Sequence, residues 1–217
     1  RALLRTRRGG SALRLHSRSP EATARAAQLL AAALPSEGLV VVLSGALGAG
    51  KTAFAKGVAQ GLGLDPAQVA SPTFAICSEY ELADAHRLAH LDGYRLSSAA
   101  ELEAAGFLDL LVAGTVVLFE WGERFRSALP ADRLEIELCA ADGAPTHRRL
   151  DAVASGPAAD RALARWEAAL ARELESGRAR AGLELLERLP LQQSSGRRES
   201  TARGESGAPE ESTGSGR

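Results

Sequence analysis

The stretch "GALGAGKT", residues 45–52, decides the fold of this chain. It follows the apolar run at residues 39–44, which is typical of a strand buried on both faces, and it precedes a helix-like segment that ends near Gly61. The stretch matches the phosphate-loop pattern G-x-x-x-x-G-K-[ST] at every position. Its glycines let backbone amides turn toward an anion, and a helix that begins at Gly50 directs its first amides to the same place.

Each residue of this loop has an expected role. Lys51 is expected to reach the β- and γ-phosphates of a nucleotide, and Thr52 to offer its hydroxyl group to Mg²⁺. We predict that the phosphates of a nucleotide are bound by the residues Leu47, Gly48, Ala49, Gly50, Lys51 and Thr52. The chain has only two lysines among its 26 basic residues, so the lysine at the end of the loop is more informative than usual.

Length and composition restrict the class of protein. A chain of 217 residues with 45% hydrophobic content suits one globular domain with a tail. The net charge of −1 gives no reason to expect nucleic acid or membrane as a direct partner. No apolar run approaches the roughly 20 residues that a membrane span needs. Cys77 and Cys139 lie far apart, so free thiols in a reducing cytoplasm are favoured over a disulfide, and we expect a cytoplasmic protein.

Apolar strands that alternate with helices predict an α/β fold with a mostly parallel sheet covered on both faces, which is the three-layer arrangement of P-loop proteins. The alternating segment at residues 132–140 and its partner at 146–155 predict an antiparallel pair at one edge. Ser19 followed by Pro20 predicts the start of a helix. A last amphipathic helix is expected over residues 157–176.

The two ends of the chain differ from this domain in composition. Residues 1–11 carry arginines and no acid, and we favour a disordered leader over a targeting peptide or an RNA-binding arm. The phosphate-loop domain is expected at residues 12–175, and residues 176–217 form a C-terminal extension that is largely disordered from Gln192 onward. Within this extension "LELLERL", residues 183–189, is expected to extend a helix.

Two acids stand at the ends of predicted strands, where side chains of a parallel sheet reach the same crevice as the loop. Glu120 ends the strand at residues 115–121, and Asp92 ends the strand before "GYR", although a simple turn would also explain Asp92. Thr73 lies in "SPTF", where either a turn or a phosphate-sensing switch loop is consistent with its position. Trp121 is expected near the nucleotide or in the core, and His90 is more often structural.

Taken together, "GALGAGKT", "SPTF" (71–74), "HLDGYRL" (90–96) and "LFEWGERF" (118–125) resemble the TsaE family in order and spacing. The resemblance covers roughly residues 12–171. It implies a weak ATPase that works with TsaB and TsaD to make threonylcarbamoyladenosine in tRNA, meets tRNA only through that complex, and hydrolyses ATP to reset TsaD.

Specific roles follow from this resemblance. Lys51 would hold the phosphates, and Thr52 and Glu120 would bind Mg²⁺. Asp92 would act near the γ-phosphate. Asp92, Glu120 and Lys51 would together be the catalytic residues. Thr73 would belong to a switch-like loop, Trp121 would lie close to the nucleotide, and the segment around Ser19 and Pro20 would border the adenine. The chain departs from the family at Ala46, where an acid is usual, and at Gly122, where proline is common.

Three other functions are compatible with a phosphate loop. A small-molecule kinase needs an acceptor pocket and an arginine-bearing lid, for which residues 61–115 leave little room. A GTPase reads guanine with an N-K-x-D motif, and this chain contains no asparagine. A non-catalytic nucleotide-binding partner would not need both Asp92 and Glu120.

Overall fold

The computed structural model describes residues 11–70, 72, 76–141, 144–176 and 182–188. The expected leader, the expected disordered tail from Gln192 and the switch-loop residue Thr73 lie outside the described residues. Within these residues, no helix is long and apolar enough to cross a membrane. The thiols of Cys77 and Cys139 are free, as the sequence predicted.

Eight strands form one mixed sheet in the order β3-β4-β5-β2-β6-β7-β1-β8. Their bounds are β1 Ala12–Ser17, β2 Gly38–Ser44, β3 Cys77–Glu81, β4 Arg87–Asp92, β5 Thr115–Glu120, β6 Arg133–Ala140, β7 Arg148–Ser155 and β8 Leu183–Arg188. The four central strands β4, β5, β2 and β6 are parallel, which confirms the predicted core of the fold. The antiparallel pairing of β6 with β7 is also confirmed. The antiparallel part is larger than predicted, because β3 pairs antiparallel with β4 at the opposite edge.

Helices cover the two faces of the sheet unequally. Helices α1 (Pro20–Ala31), α2 (Lys51–Gly61) and α4 (Pro157–Glu175) pack on one face, where the larger core includes Leu30, Phe54 and Trp166. The other face is covered by the short helix α3 (Ala99–Ala104) and by the 3₁₀ helices Phe107–Leu110 and Gly122–Phe125. A third 3₁₀ helix, Ala83–Ala85, connects β3 to β4. The arrangement confirms the predicted three layers.

Close contact between α1 and α2 fixes the helix that follows the phosphate loop. A Cβ atom at Gly57 would lie 2.7 Å from the Cβ of Ala27, and one at Gly61 would lie 2.6 Å from the Cβ of Ala31. The two helices therefore approach at a distance that only glycine permits. Helix α1 begins as predicted, since the Ser19 hydroxyl accepts a hydrogen bond from the Ala22 amide at 3.1 Å.

The segment after residue 182 is a strand, so the helix expected for "LELLERL" is wrong. Strand β8 pairs antiparallel with β1 and extends the sheet beyond the expected domain limit at residue 175. Its pairing continues outside the strands, because the Arg18 amide donates to the Gly182 carbonyl at 2.8 Å. Without β8, the edge of β1 that does not face β7 would carry unpaired backbone N–H and C=O groups. The hydrogen bonds that β8 makes with these groups outweigh the helix propensity of its leucine, glutamate and arginine residues.

Candidate phosphate-binding site

The phosphate loop joins β2 to α2 at the carboxyl edge of the parallel strands. Gly45, Gly48 and Gly50 have positive φ values of 131°, 76° and 103°, a backbone conformation that favours glycine. A Cβ atom at Gly45 would lie 2.2 Å from the carbonyl oxygen of Leu138 in β6. The loop is therefore seated directly on β6, which leaves no space for a side chain at its first position.

The N-terminus of α2 is open toward this loop. Gly50 is the N-cap residue and provides no side-chain hydrogen bond to the first amides of the helix. These amides and the positive end of the helix dipole are what an anion needs. Leu47 is 81% exposed, whereas Ala49 is buried.

Lys51 is folded onto the loop and is almost fully buried, with 4% exposure. Its Nζ donates to the carbonyl oxygens of Gly45 at 2.8 Å and Ala46 at 3.0 Å. The same ammonium group lies 3.8 Å from the centre of the Trp121 ring. Burial lowers the pKa of Lys51, and the nearby Glu120 carboxylate acts in the opposite direction.

Glu120 connects three elements in the interior of the site. Its Oε2 accepts from the Thr52 hydroxyl at 3.2 Å, and its Oε1 contacts Nε2 of His90 at 2.9 Å. His90 has no exposed surface, and its Nδ1 has no hydrogen-bond partner among the described residues. The structure thus brings the predicted pair Thr52 and Glu120 together. It also gives His90, which the sequence favoured as structural, a direct contact with the site.

Asp92 lies next to Glu120 in the sheet, because the two residues are register partners on the neighbouring parallel strands β4 and β5. Its Oδ1 accepts from the Tyr94 amide at 2.9 Å, which is the turn that the sequence offered as an alternative. Its charge nevertheless acts on Lys51. Asp92 therefore stabilises a turn, and its negative charge favours the protonated form of Lys51, which raises the pKa of that lysine against the effect of burial.

Trp121 follows β5 in a left-handed backbone conformation with φ of 63°, which is uncommon for a bulky residue. Its ring contacts the Lys51 ammonium group and also the Tyr94 ring, with 5.2 Å between the two aromatic ring centres. The next residue, Gly122, begins a 3₁₀ helix and packs so closely that a Cβ atom would lie 2.8 Å from the Phe119 ring. Trp121 is thus held beside the loop lysine.

Sequence reasoning missed two charged residues at the site. Oε2 of Glu123 is buried without a hydrogen-bond partner in the described part of the chain, and burial raises the pKa of this carboxyl group, with Lys51 among the charges that oppose the rise. Nε of Arg148, the first residue of β7, donates to the Ala49 carbonyl at 2.8 Å. Glu123 lies inside the motif "LFEWGERF", but its type and spacing suggested no role for it. Arg148 reaches the loop from a segment that is distant in sequence, so no spacing signal marked it.

This loop on a parallel sheet, with a hydroxyl and a carboxylate paired beside it, defines a P-loop protein of the α/β class. A family model described as "Threonylcarbamoyl adenosine biosynthesis protein TsaE" matches residues 17–150, which is more than half of the chain. The chain belongs to the TsaE family, and the resemblance seen in its motifs is confirmed.

Individual relatives agree with this assignment. The TsaE protein of Treponema pallidum is 42% identical over 126 residues, which cover 58% of this chain and 90% of that protein. The TsaE protein of Bacillus subtilis is 42% identical over 118 residues, covering 54% and 72% respectively. The crystal structure of YdiB from Bacillus subtilis matches with a TM-score of 0.53 and 32% identity over 79% of this chain and 99% of that one. The names of both TsaE relatives refer to tRNA threonylcarbamoyladenosine biosynthesis.

Proposed function

We propose that this chain is a cytoplasmic ATPase that binds ATP with Mg²⁺ at the phosphate loop. It works with TsaB and TsaD in the threonylcarbamoyladenosine modification of tRNA, where hydrolysis resets TsaD, and it meets tRNA only through that complex. The observation that carries the proposal is the contact between the last loop residue, Thr52, and the strand-end carboxylate of Glu120 at 3.2 Å. The pair provides a metal-binding corner directly beside a phosphate-binding loop.

The oxygen donors at this corner fit Mg²⁺. A hydroxyl and a carboxylate are the hard ligands that this ion prefers, and it is usually held by one or two such groups together with phosphate oxygens and water. Among the described residues, no group of three or more His, Cys, Asp or Glu side chains is placed to hold a metal ion. Thr52 and Glu120 would hold Mg²⁺, which when bound supplies positive charge to the phosphates.

The remaining residues of the site have roles that follow from their contacts. Lys51 would exchange the carbonyl oxygens of Gly45 and Ala46 for phosphate oxygens, which compete for the same ammonium donors. Trp121, whose ring centre lies 3.8 Å from the ammonium nitrogen, would shield that group from water. Asp92, next to Glu120 in the sheet, would orient the attacking water or the metal. Thr73 stays a proposed member of the switch loop.

The base is expected beside the segment that leads into α1. A pocket of about 440 Å³ lies there, lined by Ser17 and Arg18 on one side and by His147 and Arg149 on the other. Ser17 and Arg18 directly precede Ser19, and Arg149 follows the residue that contacts the loop. The position supports the expectation that the segment around Ser19 borders the adenine.

Hydrolysis by the isolated chain is expected to be slow. The two arginines tied to this region are occupied by carbonyl oxygens, since Arg124 donates to Tyr94 at 2.8 Å and Arg148 donates to Ala49 at 2.8 Å. These contacts direct both guanidinium groups to the backbone of the chain, and we infer that a docking partner supplies the positive charge that a transferring phosphoryl group needs. The exposed Tyr94 and Leu47 beside the loop offer a surface on which a partner would dock and complete the site.

A binding titration tests the nucleotide part of this proposal. ATP, ADP and GTP are added to the purified chain with and without Mg²⁺, and the fluorescence of Trp121 is followed, with Trp121→Phe to identify the contribution of the buried Trp166. We expect saturable ATP binding that Mg²⁺ strengthens, and we expect Trp121→Phe to lack the fluorescence change that reports this binding. Absence of binding in calorimetry would refute the proposal.

The partner part separates this ATPase from a small-molecule kinase. The tagged chain is mixed with purified TsaB and TsaD in the presence of ATP and recovered by affinity capture. Co-recovery of both proteins is the expected result. A failure to recover either one, together with phosphorylation of a metabolite by the chain alone, would favour the kinase.

A further inference from the structure

The side chain of Arg148 crosses from the start of β7 to the phosphate loop. Its Nε donates to the Ala49 carbonyl at 2.8 Å, and its Nη2 lies 3.4 Å from the Gly48 carbonyl. Its Nη1 donates to the carbonyls of Pro145 at 2.7 Å and His147 at 2.8 Å. One guanidinium group therefore joins the hairpin between β6 and β7 to the middle of the phosphate loop.

These contacts fix the direction in which loop amides point. In a trans peptide the N–H points away from the C=O of the same unit. Because Arg148 holds the Ala49 carbonyl on its own side of the loop, the Gly50 amide faces the opposite side. The Ala49 amide is already used within the loop, since it donates to the Ala46 carbonyl at 3.1 Å.

The other restraints on the loop lie mainly at its start, where the Lys51 ammonium group holds the carbonyls of Gly45 and Ala46, and at Ala49, whose side chain is buried. A Cβ atom built at Gly48 would meet nothing within 4 Å, and Leu47 is 81% exposed. Glycine has a large freedom of backbone conformation, so two glycines flanking Ala49 would sample many orientations without an external contact. A Cβ atom at Gly50 would lie 3.8 Å from the Arg148 Nε, which shows how closely the guanidinium follows the loop.

We propose that Arg148 is a positioning residue that holds the phosphate loop in its anion-binding conformation before any nucleotide arrives. Arginine suits this role because its planar fork carries five donors and binds carbonyls of two segments at once, whereas a lysine ammonium is a point charge on a flexible stem. The inference rests on the proposed function, since it assumes that the loop binds phosphate.

The test compares Arg148→Ala and Arg148→Lys with the unchanged chain. Arg161→Ala is the control, because it removes the same charge from an exposed arginine that pairs with Glu37. Affinities for ADP and for inorganic pyrophosphate are measured by calorimetry, and amide hydrogen exchange is measured on peptides that cover residues 45–52. Pyrophosphate reports on the loop without any contribution from the base.

We expect both Arg148 variants to bind ADP and pyrophosphate about tenfold more weakly, as the loss of a charge-assisted hydrogen bond predicts. Exchange at residues 45–52 is expected to be faster in both variants, and Arg161→Ala is expected to change neither quantity. Full affinity in Arg148→Lys would mean that charge alone acts and would overturn the positioning role. The positioning role would also be overturned if Arg148→Ala changed neither the hydrogen exchange of the loop nor the affinity. A loss of affinity without faster hydrogen exchange in the loop would overturn it as well.

The outcome also separates this inference from the proposed function. If the unchanged chain binds neither ADP nor pyrophosphate, the proposed function fails and the inference fails with it. If the unchanged chain binds both and the Arg148 variants bind them equally well, the function stands and only the inference is lost.

Discussion

Replacing Thr52 by valine removes one oxygen from the proposed metal corner and keeps the shape of the side chain. In the structure this oxygen donates to Oε2 of Glu120 at 3.2 Å, and Glu120 is 3% exposed. Its other carboxylate oxygen keeps the contact with His90 at 2.9 Å. The change therefore deprives one buried carboxylate oxygen of its hydrogen bond and takes away one of the two proposed protein ligands of Mg²⁺.

The expected effects can be worked out separately for folding and binding. A buried acceptor without its donor costs about 1–3 kcal/mol, which in a chain of this length corresponds to a fall in Tm of about 2–12 °C. Affinity for ATP with Mg²⁺ is expected to fall at least about tenfold, or ~1.4 kcal/mol. Affinity for ATP without Mg²⁺ is expected to stay unchanged, because the backbone amides and Lys51 are not altered.

The assay is a calorimetric ATP titration at several Mg²⁺ concentrations, combined with thermal unfolding. Thr52→Ser is the matched control, because it keeps the hydroxyl group and should retain both the stability and the Mg²⁺ dependence. If Thr52→Val bound ATP with Mg²⁺ as tightly as Thr52→Ser did, the assignment of Thr52 and Glu120 as the metal corner would be refuted.

Three further predictions concern the loop, the tail and the buried lysine. Gly45→Ala should destabilise the chain by several times the roughly 1 kcal/mol expected for Gly48→Ala, because only the former places a Cβ atom 2.2 Å from a carbonyl oxygen. Urea unfolding measures both losses of stability, and equal losses would contradict the close packing of the loop on β6. Removal of residues 192–217 should leave ADP affinity unchanged in calorimetry, and a large loss would show that the tail contributes to the site. Burial lowers the pKa of Lys51 below the usual 10.5, so the unfolded chain keeps this proton to higher pH than the folded chain does. The difference in unfolding free energy between the unchanged chain and Lys51→Met should therefore rise with pH, from the pKa of Lys51 in the folded chain up to 10.5. Urea unfolding at alkaline pH measures this difference, and a difference that does not change with pH would refute the prediction.

The phosphate loop was predictable from sequence because its pattern has a purely local cause. Glycines in left-handed conformations, a buried strand before them and a helix after them are all encoded within about 25 residues, residues 39–61. The positions of Glu120 and Asp92 were predictable for a related reason. Both end apolar strands, and parallel strands bring their carboxyl ends to one edge.

The features that were missed depend on pairing across distant parts of the chain. Strand β8 was expected as a helix because its leucines and glutamates favour one, and only the open edge of β1 makes it a strand. Arg148 contacts the loop because β7 begins beside it in the folded sheet. His90 lies among consecutive buried residues of β4, and its contact with Glu120 exists only because β4 lies next to β5.

The most direct test of the account is the rate of phosphate release from ATP by the purified chain, alone and with TsaB and TsaD, with Glu120→Ala as the control. We predict slow release by the chain alone, a clear increase when both partners are added, and loss of that increase in the variant. A rate that the partners leave unchanged but a small-molecule acceptor raises would contradict the account and would identify a kinase.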